Sequence, residues 1–326
     1  MIDFSFIPDP LQGRAIDSQM RQSLAASLEH ISVQARGRVP FDEGALERVI
    51  SDMKAGARYP ASTFALYTNT VLALCDWEND RASSLLGRLV VEQSLHEPWR
   101  ILSLDDPTHS DHLEEFIALI DSDPSTRFAI KAPVAGLTVP FRERFHKSHR
   151  LMSSAIPELA AEFDALVSDV VMVAGDERAK YQFDGGSSYM LWGGLFLNVQ
   201  SHQSEVAMVE VMAHESAHIL LYGCAADEAL VENEDDELYP SPLRLDPRPM
   251  DGIYHAAFVS ARMHWTMSRL ISSGLLDEAD CALAQAARQT DAMNFWAGHG
   301  VVEQHGRLTR TGSHVMQTAR RYMETV

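Results

Sequence analysis

The stretch from Ser204 to Tyr222 reads SEVAMVEVMAHESAHILLY. Apolar residues fall on nearly every side of its helical wheel, and neither glycine nor proline interrupts it. The pattern predicts a buried helix, one that other elements must enclose. Inside it lies His214-Glu215-Ser216-Ala217-His218. Helix positions i and i+4 sit one turn apart on one face, so two imidazoles there can hold one metal ion, with Glu215 near its open side. A chance match to His-Glu-x-x-His in a chain of this composition is expected roughly 0.04 times. The bland alternative is a pair of core histidines bonded to backbone carbonyls.

The residues before this helix read as strands. Asp169 to Val173 is a β-branched run closed by Gly175. Lys180 to Phe183, Tyr189 to Leu191 and Leu195 to Val199 are short strand-like runs punctuated by Gly185-Gly186 and Gly193-Gly194. They predict a hairpin or small sheet. After the helix, Ala225 to Met250 is acidic and proline-rich, with seven carboxylates between Asp227 and Glu237. A solvated loop or a site attractive to a basic peptide would both carry such a run. Helical spacing returns at Asp251 to Ser272, Asp277 to Phe295 and Ser313 to Met323.

The first half of the chain is helical in period: Leu11 to Gln34, Asp42 to Lys54, one or two helices over Ser62 to Gln93, and Pro107 to Asp121. Arg127 to Val139 reads as extended, with Pro133 and Pro140 barring a helix. Phe141 to Val167 is helical again, broken at Pro157. These features predict an α+β, mostly α-helical fold that is neither a cupin nor a jelly-roll. A helical part would span 1–140. A metal-binding part with a small antiparallel sheet packed on the His-Glu-x-x-His helix would span 141–326.

Composition narrows the function. The 326 residues carry 27 Lys+Arg against 46 Asp+Glu, a formal charge of −19. Nucleic acid and anionic membrane both need a basic footprint, so neither is expected as a partner. Three cysteines, Cys75, Cys224 and Cys281, are too scattered for a disulfide framework and fit a reducing, cytoplasmic setting. The first ten residues lack the basic region of a signal peptide, and no apolar run is long enough for a transmembrane helix.

Two histidines do not complete a metal site. Ile219 to Ala225 contains no histidine, which excludes the short metzincin continuation. Glu228, Glu232, Glu234 and Glu237 are available as a carboxylate ligand but crowd the acidic segment. His255 opens the next strong helix and is favoured as third ligand, with Asp251 as the carboxylate alternative. Arg262 follows His255 by two turns and is suited to binding a carboxylate, unless it serves an ion pair. Arg244 and Arg248 compete for that role. Asn198 is a further candidate for lining a substrate groove. Met208, Met212 and Met263 read as core.

Taken together, Gly193-Gly194-Leu195-Phe196-Leu197-Asn198, the His214–His218 motif, Pro242-Leu243-Arg244-Leu245-Asp246-Pro247-Arg248-Pro249 and Gly252-Ile253-Tyr254-His255-Ala256-Ala257-Phe258-Val259 resemble the HExxH-motif peptide-modification proteins. These occur beside, or fused to, radical S-adenosylmethionine enzymes in clusters that make ribosomally synthesised, post-translationally modified peptides. The resemblance covers Phe141 to the C-terminus most clearly. It implies an iron(II)- and 2-oxoglutarate-dependent oxygenase that hydroxylates a β-carbon of a precursor peptide, with a radical S-adenosylmethionine maturase in the same pathway. In that reading His214, His218 and His255 hold the iron, Arg262 pairs the far carboxylate of 2-oxoglutarate, and Asn198 and Arg248 meet the substrate. Glu215 then supports the site from behind or holds metal-bound water. Three protein ligands leave room for a bidentate 2-oxo acid and dioxygen. The first rival is a zinc metallopeptidase with Glu215 as general base. The second is a non-catalytic scaffold for a peptide and its maturase.

Overall fold

A computed structural model describes residues 4–122, 128–134, 136–176, 178–179, 181–241 and 246–326. Its elements run α1 (Pro10–Ala35), α2 (Glu43–Lys54), α3 (Ala61–Cys75), α4 (Asn79–Leu89), β1 (Arg100–Ser103), α5 (Leu113–Ile120), α6 (Thr138–Ala155), α7 (Pro157–Leu166) and β2 (Asp169–Val173). There follow β3 (Gly185–Gly186), β4 (Gly194–Asn198), α8 (Glu205–Cys224), β5 (Leu238–Tyr239), β6 (Arg248–Pro249), α9 (Met250–Ser272), α10 (Glu278–His305) and α11 (Arg310–Met323). The fold is α+β and mostly helical, with no barrel among the described residues. None of the described helices is long and apolar enough to cross a membrane.

The chain forms two compact units that interleave along the sequence. One comprises the chain up to Arg14, then Arg142–Phe163 and His202–Val326; the other comprises Ala15–Phe141 and Asp164–Ser201. The boundary expected at residue 140 falls beside one crossing, at Phe141. The crossings after Arg14, Phe163 and Ser201 have no counterpart in that division.

In the second unit a sheet runs in the order β1-β2-β4-β3. β1 and β2 are parallel, β2 and β4 are parallel, and only the short β3 is antiparallel to β4. The expected antiparallel sheet is therefore a mixed one, and its residues belong to a different unit from α8. The reason lies in β2, where Asp169 to Val173 is buried throughout. A strand covered on both faces reads as a continuous apolar run, and parallel strands need helical crossovers between them. The N-terminal part is likewise not wholly helical, since Arg100–Ser103 forms β1. Tyr189–Leu191 is a single 3-10 turn rather than a strand, with the Ser188 hydroxyl accepting from the Met190 amide at 3.3 Å. Gly193 sits at φ 78, where a Cβ would stand 2.5 Å from the Ser168 hydroxyl, so the turn into β4 needs glycine. Phe116, Val171, Phe183, Leu191 and Phe196 pack the core of this unit.

Two further ties close it. The Asp169 carboxylate is fully buried, accepting from the Ala61 amide at 2.6 Å and from the Arg100 guanidinium at 2.7 Å. The Arg58 guanidinium donates to the carbonyls of Asp164, Ala165 and Val167, which the end of α7 leaves without helical partners.

The first unit is built on α8, α9 and α10. Gly298 of α10 lies against α9, where an added Cβ would come 3.1 Å from the Ala257 methyl group, so the two helices approach closely. α10 runs well past the expected end at Phe295, to His305. β5 and β6 pair antiparallel, Tyr239 opposite Arg248. The acidic segment is partly anchored here: Glu228 accepts from Thr311, and Glu237 accepts from Tyr239 and from Arg307 at 3.1 Å.

Candidate metal centre

α8 starts at Ser204, whose hydroxyl accepts from the Ala207 amide at 3.1 Å. That cap fixes the helical phase of everything after it. His214, His218 and Tyr222 then recur every four residues on one side of α8. α9 starts after Pro249, with a second-turn His255 facing that stripe. The three imidazoles meet. His214 Nε2 lies 3.1 Å from His218 Nε2, and His218 Nδ1 lies 3.0 Å from His255 Nδ1. The His214 Nδ1 faces the Met263 sulfur at 3.4 Å.

As placed, the rings form a chain rather than a ring of donors. His214 Nδ1–H donates to sulfur, His218 Nε2–H donates to His214, and His255 Nδ1–H donates to His218; this set of tautomers satisfies every contact. Among the described residues no three His, Cys, Asp or Glu groups converge as a metal-binding set. The fit to a metal is therefore partial in geometry and good in chemistry. Two nitrogens held about 2.1 Å from one ion stand about 3.0–3.4 Å apart, and His214 Nε2 and His218 Nε2 meet that spacing. His255 touches the pair but does not share its focus.

Burial sets the charge of the trio. It pushes the His214 imidazole down to about 4, with His202 adding to the effect. Burial lowers His218 well below the ordinary range, with His214 and His255 adding to it. His255 is also lowered by burial, against the opposing pull of the Asp251 carboxylate. Neutral imidazoles are the form that ligates a metal.

The trio opens into a cavity of about 540 Å³ between α8, α9, α10 and the β6 end. Tyr222, Arg248, Asp251 and Asn294 also line it. Arg248 lies 3.3 Å from Asp246 Oδ2 but outside hydrogen-bond geometry, so its Nε is buried without a hydrogen bond. Asp251 is half exposed at the rim, 3.8 Å from His255 Nε2. Glu215 does not line the cavity. It is 4% exposed, and its nearest approach to the trio is 3.8 Å, to His214 Nε2.

Arg262 does not line the cavity either. Its guanidinium pairs with the fully buried Glu162 of α7 and donates to the Phe6 carbonyl. The cavity-lining arc of α9 runs from Asp251 through His255, Val259 and Met263 to Ser260. Seven residues at about 100° each bring Arg262 within about 20° of His255, between Asp251 and His255 on the helical wheel, so helical phase does not turn it away; the Glu162 carboxylate and the Phe6 carbonyl hold its guanidinium instead. Asn198 belongs to the other unit, where its amide donates to the Phe183 carbonyl at 2.9 Å. Arg244 lies outside the described residues. Sequence reasoning missed Tyr222 and Asn294 and took Met263 as core. The four-residue recurrence after His218 was the available signal for Tyr222; Asn294 had none.

No protein-family model matches the chain, and no curated protein matches it significantly.

Proposed function

We propose that the protein is an iron(II)- and 2-oxoglutarate-dependent oxygenase that hydroxylates a side chain of a precursor peptide. The observation that carries the reading is the cavity: three neutral imidazoles, Arg248 and the rim carboxylate of Asp251 line it, while Glu215 does not. In a zinc peptidase the general base must reach the metal-bound water; Glu215 is buried and does not line the cavity, and its carboxylate stands 3.8 Å from His214 Nε2. Neutral nitrogen donors suit iron as they suit zinc.

In this reading His214, His218 and His255 hold the iron, which supplies dioxygen activation coupled to decarboxylation of the 2-oxo acid. Arg248 takes the place of Arg262 as the partner of the far carboxylate of 2-oxoglutarate in this reading, because Arg248 lines the cavity, beside its ion pair with Asp246, and Arg262 does not. Asn294 and Tyr222 bound the space left for a peptide side chain. A cytoplasmic setting and a radical S-adenosylmethionine partner belong to the same proposal, supported by composition and by the sequence resemblance.

The test is a reaction of iron-loaded protein, 2-oxoglutarate, dioxygen and a candidate peptide. Succinate and a peptide heavier by one oxygen atom are expected. Cleavage that proceeds with zinc and ignores 2-oxoglutarate would replace this reading with the peptidase.

The two arginines separate in the same assay. Arg248→Gln is expected to raise the KM for 2-oxoglutarate by about tenfold, the worth of a charge-assisted hydrogen bond. Arg262→Met is expected to leave that KM unchanged and to cost about 3 kcal/mol of stability, because it strands the buried Glu162 carboxyl. Steady-state kinetics with urea unfolding of both variants checks the pair; an Arg262→Met enzyme of normal stability and raised KM would return the clamp to Arg262.

A further inference from the structure

Metal-binding histidines are ordinarily fixed by a carboxylate or carbonyl that accepts from the second ring nitrogen. Among the described residues no carboxylate or carbonyl gives the trio that support. Both nitrogens of His218 are taken by the other two histidines, and the outer nitrogen of His214 meets only a thioether. His255 Nε2 stands 3.8 Å from the Asp251 carboxylate, beyond hydrogen-bond reach. Beyond the contacts the three rings make with one another, their orientation rests on packing.

The packing wall is Tyr222. Its ring is 6.3 Å from the His218 ring at 23°, and 5.2 Å from the His255 ring at 37°. The His218 and His255 rings themselves lie 5.3 Å apart at 17°. Tyr222 thus touches both of the imidazoles that come from different helices, and it does so from the cavity side. One turn of α8 separates it from His218, so the helix that carries two candidate ligands also carries the ring that steadies the second and third.

We infer that Tyr222 is the positioning residue of the metal centre, setting the orientation of His218 and His255 by ring packing where an outer carboxylate or carbonyl would ordinarily do so. The inference rests on the reading of the trio as a metal site. Because the flat aromatic face does this, phenylalanine should substitute for it and a small residue should not.

The experiment is titration of the purified full-length protein with cobalt(II), followed by the visible ligand-field bands and by equilibrium dialysis. Tyr222→Phe is expected to keep the wild-type spectrum and affinity. Tyr222→Ala is expected to lower affinity by about 10- to 100-fold, the usual cost of losing an orienting partner, and to shift the bands. Thermal unfolding without added metal, expected to change little for a cavity-wall residue, separates a positioning role from general damage. Wild-type affinity and spectrum in Tyr222→Ala would overturn the inference while leaving the metal site standing. Absence of cobalt binding by the wild-type protein would instead remove the metal reading itself.

Discussion

His218→Ala is expected to strip the protein of metal and of any 2-oxoglutarate turnover. His218 is the middle member of the trio: one nitrogen meets His214 and the other meets His255. Its loss leaves two imidazoles on different helices with nothing joining them. Complete metal sites with nitrogen and sulfur donors bind with roughly 10–16 kcal/mol, so one ligand of three or four is worth roughly 3 kcal/mol or more. That is a hundredfold or greater fall in affinity. The measurement is metal content after anaerobic reconstitution and dialysis, with succinate release as the second readout. Replacement of His255 by alanine should act in the same direction, because His255 lines the same cavity and meets His218 at 3.0 Å. Equal iron content in wild type and His218→Ala would show that the trio is a hydrogen-bonded core cluster. In that case the variant would lose stability alone, through two buried ring nitrogens left without partners.

What the sequence made legible follows from range. The i, i+4 spacing placed His214 and His218 on one face because both lie within one turn of a single helix. His255 was found by the start of the next strong helix, a local signal as well. Arg262 shows where such reasoning ends. Two turns of α9 return almost to the same direction, and helical phase alone would leave Arg262 on the cavity side; its guanidinium goes instead to Glu162 and Phe6, partners far away in sequence. Nothing local announces that Glu162, a hundred residues earlier, waits there fully buried. The sheet follows the same rule. The β-branched run at Asp169 to Val173 was readable as a strand, whereas its parallel pairing with Arg100–Ser103 is a long-range fact. β1 is short and carries a charged first residue, so its period is too brief to register.

Asp291→Asn is expected to stabilise the protein at alkaline pH and to flatten its stability profile. Asp291 of α10 is 2% exposed, and its Oδ2 is buried without a hydrogen-bond partner. Burial, with the Glu210 carboxylate of α8 adding to it, pushes the Asp291 carboxyl up to about 8. Glu210 is itself raised by burial. An unfolded chain releases the Asp291 proton near pH 4, about 3.9 for an unperturbed aspartate. Between there and pH 8 the folded state keeps a proton that the unfolded state has lost. Stability from this group is therefore complete below about pH 4 and falls by about 1.4 kcal/mol for each pH unit up to the folded value. Asparagine has the same shape and no proton to lose. Its amide hydrogens would lack a partner, a pH-independent cost of about 1–3 kcal/mol. The two terms nearly cancel near pH 5, and by pH 8 the variant should lead by on the order of 3 kcal/mol. Urea unfolding of both proteins from pH 5 to pH 8 measures this. Parallel curves would mean that Asp291 is ionised in the fold and held by a partner. Glu210→Gln should end the fall at a lower pH, since it removes the like charge but not the burial. Glu210 lies one turn before His214 and Asp291 lies three residues before the cavity residue Asn294. The destabilised acid thus sits beside the candidate site, where a fold tolerates unfavourable burial in exchange for placing α8 and α10 against each other.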